Sequence, residues 1–254
     1  MKFLSLEEKN LSNFLENLKV KNMKNILLIG GSYGIGLAIA KELQYENKVF
    51  IASRTYENIA DMNVTHIQFD ATTDTLDMSK LPEAIDGLVY CPGSINLRPF
   101  KGLKLEVFEQ DLQINFISLV KVIQSILPNL VASNQSSIVL FSSVAASMGM
   151  PFHTSVAAAK GAIEGFAKAL AAEYAPKIRV NVIAPSLTDT PLADKFLNND
   201  VKREKSAERH PLKRVGTSDD MAQMASFLLS SKSSWISGQV FHVDGGMSTL
   251  LVNQ

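Results

Sequence analysis

The chain predicts an α/β domain: a parallel sheet wound by crossover helices on both faces. Three observations carry that expectation. Seven apolar, strand-like runs are separated, for the most part, by helical stretches. A glycine-rich turn joins the first run to the first helical stretch. The 254 residues suffice for one such domain to bury a full core, and no repeat, low-complexity tract or Gly/Ser linker divides them.

Residues 1–24 precede the alternating pattern. Phe3, Leu4, Leu11, Phe14, Leu15 and Leu18 recur at roughly helical spacing, with Glu and Lys between them. This predicts an N-terminal helical extension, packed on the domain or on a neighbouring subunit. Its polar face mixes acids and bases, which argues against a membrane-surface helix.

Strands are expected at Asn25–Ile29, Lys48–Ala52, Val64–Phe69, Gly87–Cys91, Ser137–Phe141, Arg179–Ile183 and Gln239–Val243. Helices are expected at Ile35–Gln44, Val107–Val131, Val156–Tyr174 and Ser218–Leu229. Strands that alternate with helices pair in parallel through crossovers. Between the first strand and the first helix lies Gly30-Gly31-Ser32-Tyr33-Gly34-Ile35-Gly36. Glycine permits backbone angles and a close approach that a Cβ would block. The amides that open the helix, together with its dipole, suit a pyrophosphate. The spacing is G-x-x-x-G-x-G (Gly30, Gly34, Gly36), not the longer dinucleotide fingerprint.

Composition narrows the partners. Lys plus Arg equals Asp plus Glu at 25 each, so no overall field attracts nucleic acid or an anionic membrane. Cys91 is the only cysteine, which excludes an intramolecular disulfide and fits a reducing, cytoplasmic setting; its simplest reading is a buried small hydrophobe. His66, His210 and His242 show no metal-ligand spacing, so no metal is expected. No run of about 18 apolar residues marks a membrane span. The opening MKFLSLEEKN meets acidic residues too early for a signal peptide. A small-molecule substrate is the partner that remains.

Motifs in order carry a closer resemblance. LLIGGSYGIG, FDATTD, GLVYCPG, QINF, IVLFSSVAA, KGAIEGFAKALAAEYAPKIRVNVIAPSLTDTP and ISGQVFHVDGG follow one another along the chain. Together they resemble the short-chain dehydrogenase/reductase family over nearly everything after residue 24. The resemblance implies a single-domain, seven-stranded Rossmann-type doubly wound sheet over residues 25–254 that binds NAD(P). It places Gly30, Ser32, Tyr33, Gly34, Ile35 and Gly36 at the cofactor turn, with Asp70 and Ala71 at the adenine. Gly93 falls in the turn after the fourth strand, and Thr190, beside Asp189, at the carboxamide. Ser53-Arg54-Thr55 ends the second strand, where an acidic residue would grip the ribose hydroxyls. A guanidinium there can pair with a 2′-phosphate, which favours NADP(H) over NAD(H).

Reduction of a carbonyl by a nicotinamide needs a hydride, a proton for the oxygen and stabilisation of the developing alkoxide. By resemblance, Ser143 binds the carbonyl oxygen, Lys160 holds the nicotinamide ribose and tunes the proton donor, and Asn115 anchors a relay water. The family's proton-giving tyrosine belongs four residues before the lysine, and that residue is Val156. Three readings stay open. His153, seven residues before Lys160, is a relocated acid, at a spacing resembling the tyrosine and lysine of the divergent enoyl-thioester reductases. Alternatively Lys160 or water suffices, on a ketone-like, 3-oxoacyl or enoyl substrate. In the third, the chain is a catalytically silent NADP-binding scaffold or sensor. Asp194 to His210 is expected to form a helical lid with a solvated charged face; Leu192, Phe196 and Leu197 either line an apolar pocket or pack in the core, and Met148 and Met150 border the substrate. By resemblance, the helices Val107–Val131 and Val156–Tyr174 form a homodimer interface within a tetramer.

Overall fold

The computed structural model describes residues 23–252. The N-terminal extension lies outside the described residues except for Met23 and Lys24, and Lys24 already opens the first strand.

Seven parallel strands form one sheet. They are β1 (Lys24–Ile29), β2 (Asn47–Ser53), β3 (Val64–Gln68), β4 (Gly87–Tyr90), β5 (Ser136–Phe141), β6 (Ile178–Pro185) and β9 (Val240–Val243), in the order β3-β2-β1-β4-β5-β6-β9. A two-stranded ladder, β7 (Thr188–Asp189) with β8 (Gly216–Thr217), stands apart from it. The helices are α1 (Gly34–Leu43), α2 (Leu105–Leu112), α3 (Ser118–Ala132), α4 (Thr154–Tyr174), α5 (Asp194–Leu197), α6 (Asp200–Glu208) and α7 (Ser218–Leu229). All seven expected main-sheet strands are present, with ends moved by a few residues.

The strands are apolar on both faces because both are covered. Side chains alternate along a strand, so neighbours serve opposite layers. Leu27 and Ile29 pack with α3 and α4, through Leu119, Ile126, Ile163 and Leu170. Ile26 and Leu28 pack with α1 and α7, through Ile39, Leu43, Ala225 and Leu228. β1 pairs with β2 on one side and β4 on the other, so the strand order reverses there. At such a switch the loops leaving the strand ends diverge and open a crevice. The glycine turn after β1 and the Gly93 turn after β4 both face it.

The expected helix Val107–Val131 is observed as two helices joined by a π-helical turn, Gln113–Ile117. By length and composition the stretch Leu105–Ala132 is apolar enough to cross a bilayer, with a mean hydropathy of 1.5 in its best window. That apolarity has a local cause: Leu119, Val122, Ile123, Ile126 and Leu130 face the sheet.

Arg179 of β6 secures the far edge. It is only 6% exposed, and its guanidinium donates to the carbonyls of Leu228, Ser230, Ser233 and Ile236. A cation there adds a charged donor to carbonyls at and beyond the end of α7. Those carbonyls also accept from Ser137, Ser233, Asn181 and the Ile236 amide. Replacing Arg179 with Leu therefore removes the charged donor they share, and is expected to remove roughly 2 kcal/mol of stability, read as a lower urea midpoint.

Candidate active site

The glycine turn forms the first half of the site. Gly30 and Gly34 hold φ of 77° and 58°, the left-handed region that a side chain disfavours. A Cβ on Gly36 would drive into the Gly30 carbonyl oxygen and approach Gly31 Cα at 2.9 Å, so α1 can lie this close only with glycine there. Tyr33 is the N-cap of α1 and its side chain makes no capping bond; the first turn holds no acid. The leading amides therefore face outward with the positive end of the helix dipole.

A cavity runs from this turn across the sheet edge. Gly30, Ser32, Tyr33, Gly34, Ile35 and Gly36 line it. So do Ser53, Arg54, Asp70, Ala71, Gly93 and Thr190. Every expected cofactor residue except Lys160 is thus in one wall. Their side chains differ in freedom. The Ser32 hydroxyl meets Thr55 Oγ1 at 2.8 Å, and Ser53 Oγ donates to the Thr55 carbonyl at 2.7 Å, so both shape the loop. Asp70 Oδ1 accepts from the amide and hydroxyl of Thr72, which hold its carboxyl below the usual carboxylate range. Asp70 Oδ2 faces Arg54 Nη1 at 3.9 Å, and that guanidinium is otherwise exposed. A cradle of bare amides and glycines beside an exposed arginine fits a dinucleotide.

A second cavity, about 610 Å³, adjoins the first through Ile35, Cys91, Gly93 and Thr190. Ser143, His153, Val156 and Lys160 all line it. Ser143 follows β5 and caps a short helical turn, its Oγ accepting from the Ala145 amide at 3.2 Å. That bond leaves its own O–H free to donate. Phe152 adopts φ 70° ahead of α4, and His153 becomes the helix N-cap. His153 Nδ1 lies 2.7 Å from the Pro151 carbonyl, which fixes a proton on Nδ1 and leaves Nε2 free. Val156 is 5% exposed, so the wall between His153 and Lys160 is aliphatic.

Lys160 is 9% exposed, and its Nζ donates to the Phe141 carbonyl at 2.9 Å. Burial pulls its pKa down to about 8, against the pull of the Asp111 carboxylate. The Cys91 thiol is pushed up to about 12 by burial and stays neutral. Asn115 projects from the π turn, wholly buried, with Nδ2 donating to the Asp111 carbonyl and to Ser94 Oγ. A Cβ on Gly93 would sit 3.0 Å from Asn115 Oδ1 and 3.4 Å from Lys160 Nζ. The bare Cα at 93 is what lets these two groups share one opening.

Sequence reasoning missed a carboxylate at the centre of this cluster. Asp111 is 0% exposed and accepts from Ser155 Oγ and Asn96 Nδ2, each at 2.7 Å, and from Ser94 Oγ. Its signal was an acid four residues before Asn115, on the face of the helix opposite the exposed Glu106 and Glu109. In the lid, Lys202, Lys205 and Arg209 are exposed, as expected of a solvated face, and they also border the larger cavity. Asp189, beside Thr190, is held by Arg203 at 2.6 Å and 3.2 Å, and joins the lid to the loop.

Residues 30–248 match a family model described as enoyl-(acyl carrier protein) reductase. The 3-oxoacyl-[acyl-carrier-protein] reductase FabG of Buchnera aphidicola subsp. Baizongia pistaciae is 31% identical over 244 residues, covering 90% of this chain and 99% of that one. The chain belongs to the short-chain dehydrogenase/reductase family. Solved structures agree. The ligand-free aldohexose dehydrogenase of Thermoplasma acidophilum superposes with a TM-score of 0.82 at 25% identity, over 93% of this chain and 99% of that one. ElxO with NADP bound gives 0.81 at 25% identity, over 90% and 100%. Short-chain dehydrogenases/reductases related to this chain are NAD(P)-dependent oxidoreductases.

In this member of the short-chain dehydrogenase/reductase family the buried lysine has a consequence for stability. The folded pKa of about 8 lies below the ordinary 10.5, so burying the ammonium opposes folding below pH 8. That opposition fades as pH rises from 8 towards 10.5. Lys160→Met, which also loses the Phe141 bond, is expected to unfold about 1–2 kcal/mol later than wild type at pH 7. The gap in urea midpoint should narrow as pH rises through 8.

Proposed function

We propose that the protein is an NADP(H)-dependent reductase of a ketone-like or 3-oxoacyl carbonyl, with His153 in place of the missing tyrosine as proton donor. One observation carries this reading: Ser143, His153 and Lys160 line a single cavity continuous with the glycine cradle. When bound, a nicotinamide supplies the hydride. The Gly34–Gly36 amides would hold its pyrophosphate, Arg54 its 2′-phosphate and Lys160 its nicotinamide ribose. The NADP-bound neighbour and the FabG relative support the cofactor and the substrate class.

The chain's own groups divide the remaining work. Ser143 O–H donates to the substrate oxygen and fixes its position. As the imidazolium, His153 gives its Nε2 proton to that oxygen and is left as the neutral Nδ1–H tautomer, which the bond to Pro151 holds in place. The Lys160 ammonium stabilises the developing negative charge from beneath, and Asn115 and Ser94 steady the opening beside it. Val156 keeps the intervening wall dry and takes no part in proton transfer. The family model's description also keeps an enoyl thioester in play, with the same His153 as donor. Outward on α4, Gly161 and Gly165 have open space beside them, which suits the contact with a second copy expected of this helix.

The test is NADPH oxidation against ketones, 3-oxoacyl and enoyl thioesters. His153→Ala is expected to lower kcat about a hundredfold or more with NADPH binding retained. Tight NADPH binding with no wild-type turnover, and activity gained in Val156→Tyr, would identify a silent binder instead. Arg54→Asp should shift the ratio of kcat/KM for NADPH over NADH by about tenfold or more towards NADH. An unchanged ratio would remove Arg54 from the 2′-phosphate site.

A further inference from the structure

The larger cavity has a sorted electrostatic character. Its floor and sides are apolar, with Leu97, Met150, Val156, Leu192, Phe196 and Met247 among them. No Asp or Glu lines it, whereas Lys160, Lys195, Lys202, Lys205 and Arg209 do. In a chain whose acids and bases are equal at 25 each, that separation does not follow from overall composition.

The sorting follows the geometry of α6. Lys202, Lys205, Ser206 and Arg209 recur at steps of three and four and face the cavity. Arg203, Glu204 and Glu208 do not line it, and Arg203 is held by Asp189. Two of the lining cations already have work in the lid. Lys195 Nζ donates to the Ile95 carbonyl, and Lys202 Nζ to the Lys195 carbonyl and Asn198 Oδ1. Lys205 and Arg209 have neither an ion pair nor a side-chain hydrogen bond among the described residues. His210 Nε2, bonded to Ser186 at 2.8 Å, ties the end of this face to the loop after β6.

We propose that Lys205 and Arg209 form an anion subsite in the lid, and that the substrate carries a carboxylate or phosphate at the end of an apolar stem, remote from its reacting carbonyl. This rests on the reductase reading above. Two unpaired cations on a mobile-length side chain each can close on one anionic head, and a guanidinium can do so through two parallel hydrogen bonds. The apolar middle of the cavity takes the stem, and Ser143 and His153 meet the carbonyl at the other end. A neutral substrate would leave the lid face solvated and gain nothing from its charges.

Matched pairs test this. One pair is 6-oxoheptanoate with its methyl ester; the other is acetoacetyl-coenzyme A with acetoacetyl-N-acetylcysteamine. The charged member of at least one pair is expected to show a kcat/KM higher by about tenfold or more, mostly through KM. The first pair reports a carboxylate on the substrate itself, the second a phosphate on a carrier. In Lys205→Ala/Arg209→Ala the ratio should fall to near unity, while Lys232→Ala, on the exposed surface far along the chain, leaves it unchanged. Equal turnover within both pairs, or a ratio that survives the double variant, overturns the subsite. If no compound turns over, calorimetry on the NADPH-loaded protein separates the two claims. Binding of 6-oxoheptanoate but not its ester, lost in the double variant, keeps the subsite and rejects the reductase; no preference rejects both.

Discussion

An ammonium group held away from water is the constraint around which this site is built. Lys160 lies beneath the ends of the central strands, and a charge there persists only if the protein replaces its hydration. The Phe141 carbonyl does part of this, and the buried Asp111 carboxylate supplies the opposite charge. Asp111 in turn needs its own donors, which come from Ser94 and Asn96 on the loop after β4 and from Ser155 on α4. One buried lysine thus ties together the loop after β4, the helix α2 and the start of α4.

The sheet makes that possible. Its switch point between β1 and β4 opens the crevice, and the two helical layers close the interior below it. Strand ends deliver backbone groups at fixed spacing, so the Phe141 carbonyl and the Gly93 Cα occupy positions set by the register of β4 and β5. Arg179 and the end of α7 keep the far side of the same sheet in place without touching the crevice.

Much of this was legible in the chain, and the divisions have physical causes. The strands read clearly because a parallel sheet covered on both faces demands unbroken apolar runs. The glycine turn read clearly because two left-handed angles and a close helix approach demand glycine. Ser143, Lys160 and Asn115 were found through motif order, and the fold does bring them to one opening. Asp111 was missed because its partners are remote in sequence and depend on the phase of the helix carrying it. Lys205 and Arg209 are exposed, as read, but periodicity separates faces without saying which one also borders a cavity.

The π turn at Gln113–Ile117 stores part of this arrangement in residue count rather than in side-chain identity. Five residues there occupy a wider coil than an α-helix would give them. Deleting a single one between Asp111 and Asn115 would return the segment to α geometry and change the angular offset between those two residues, while the flanking helices keep their faces. Asp111 and Asn115 would then part company though neither had been substituted. Homologues that align well but differ by one position in this segment would accordingly have a differently wired floor, and substitution tables alone would not reveal it.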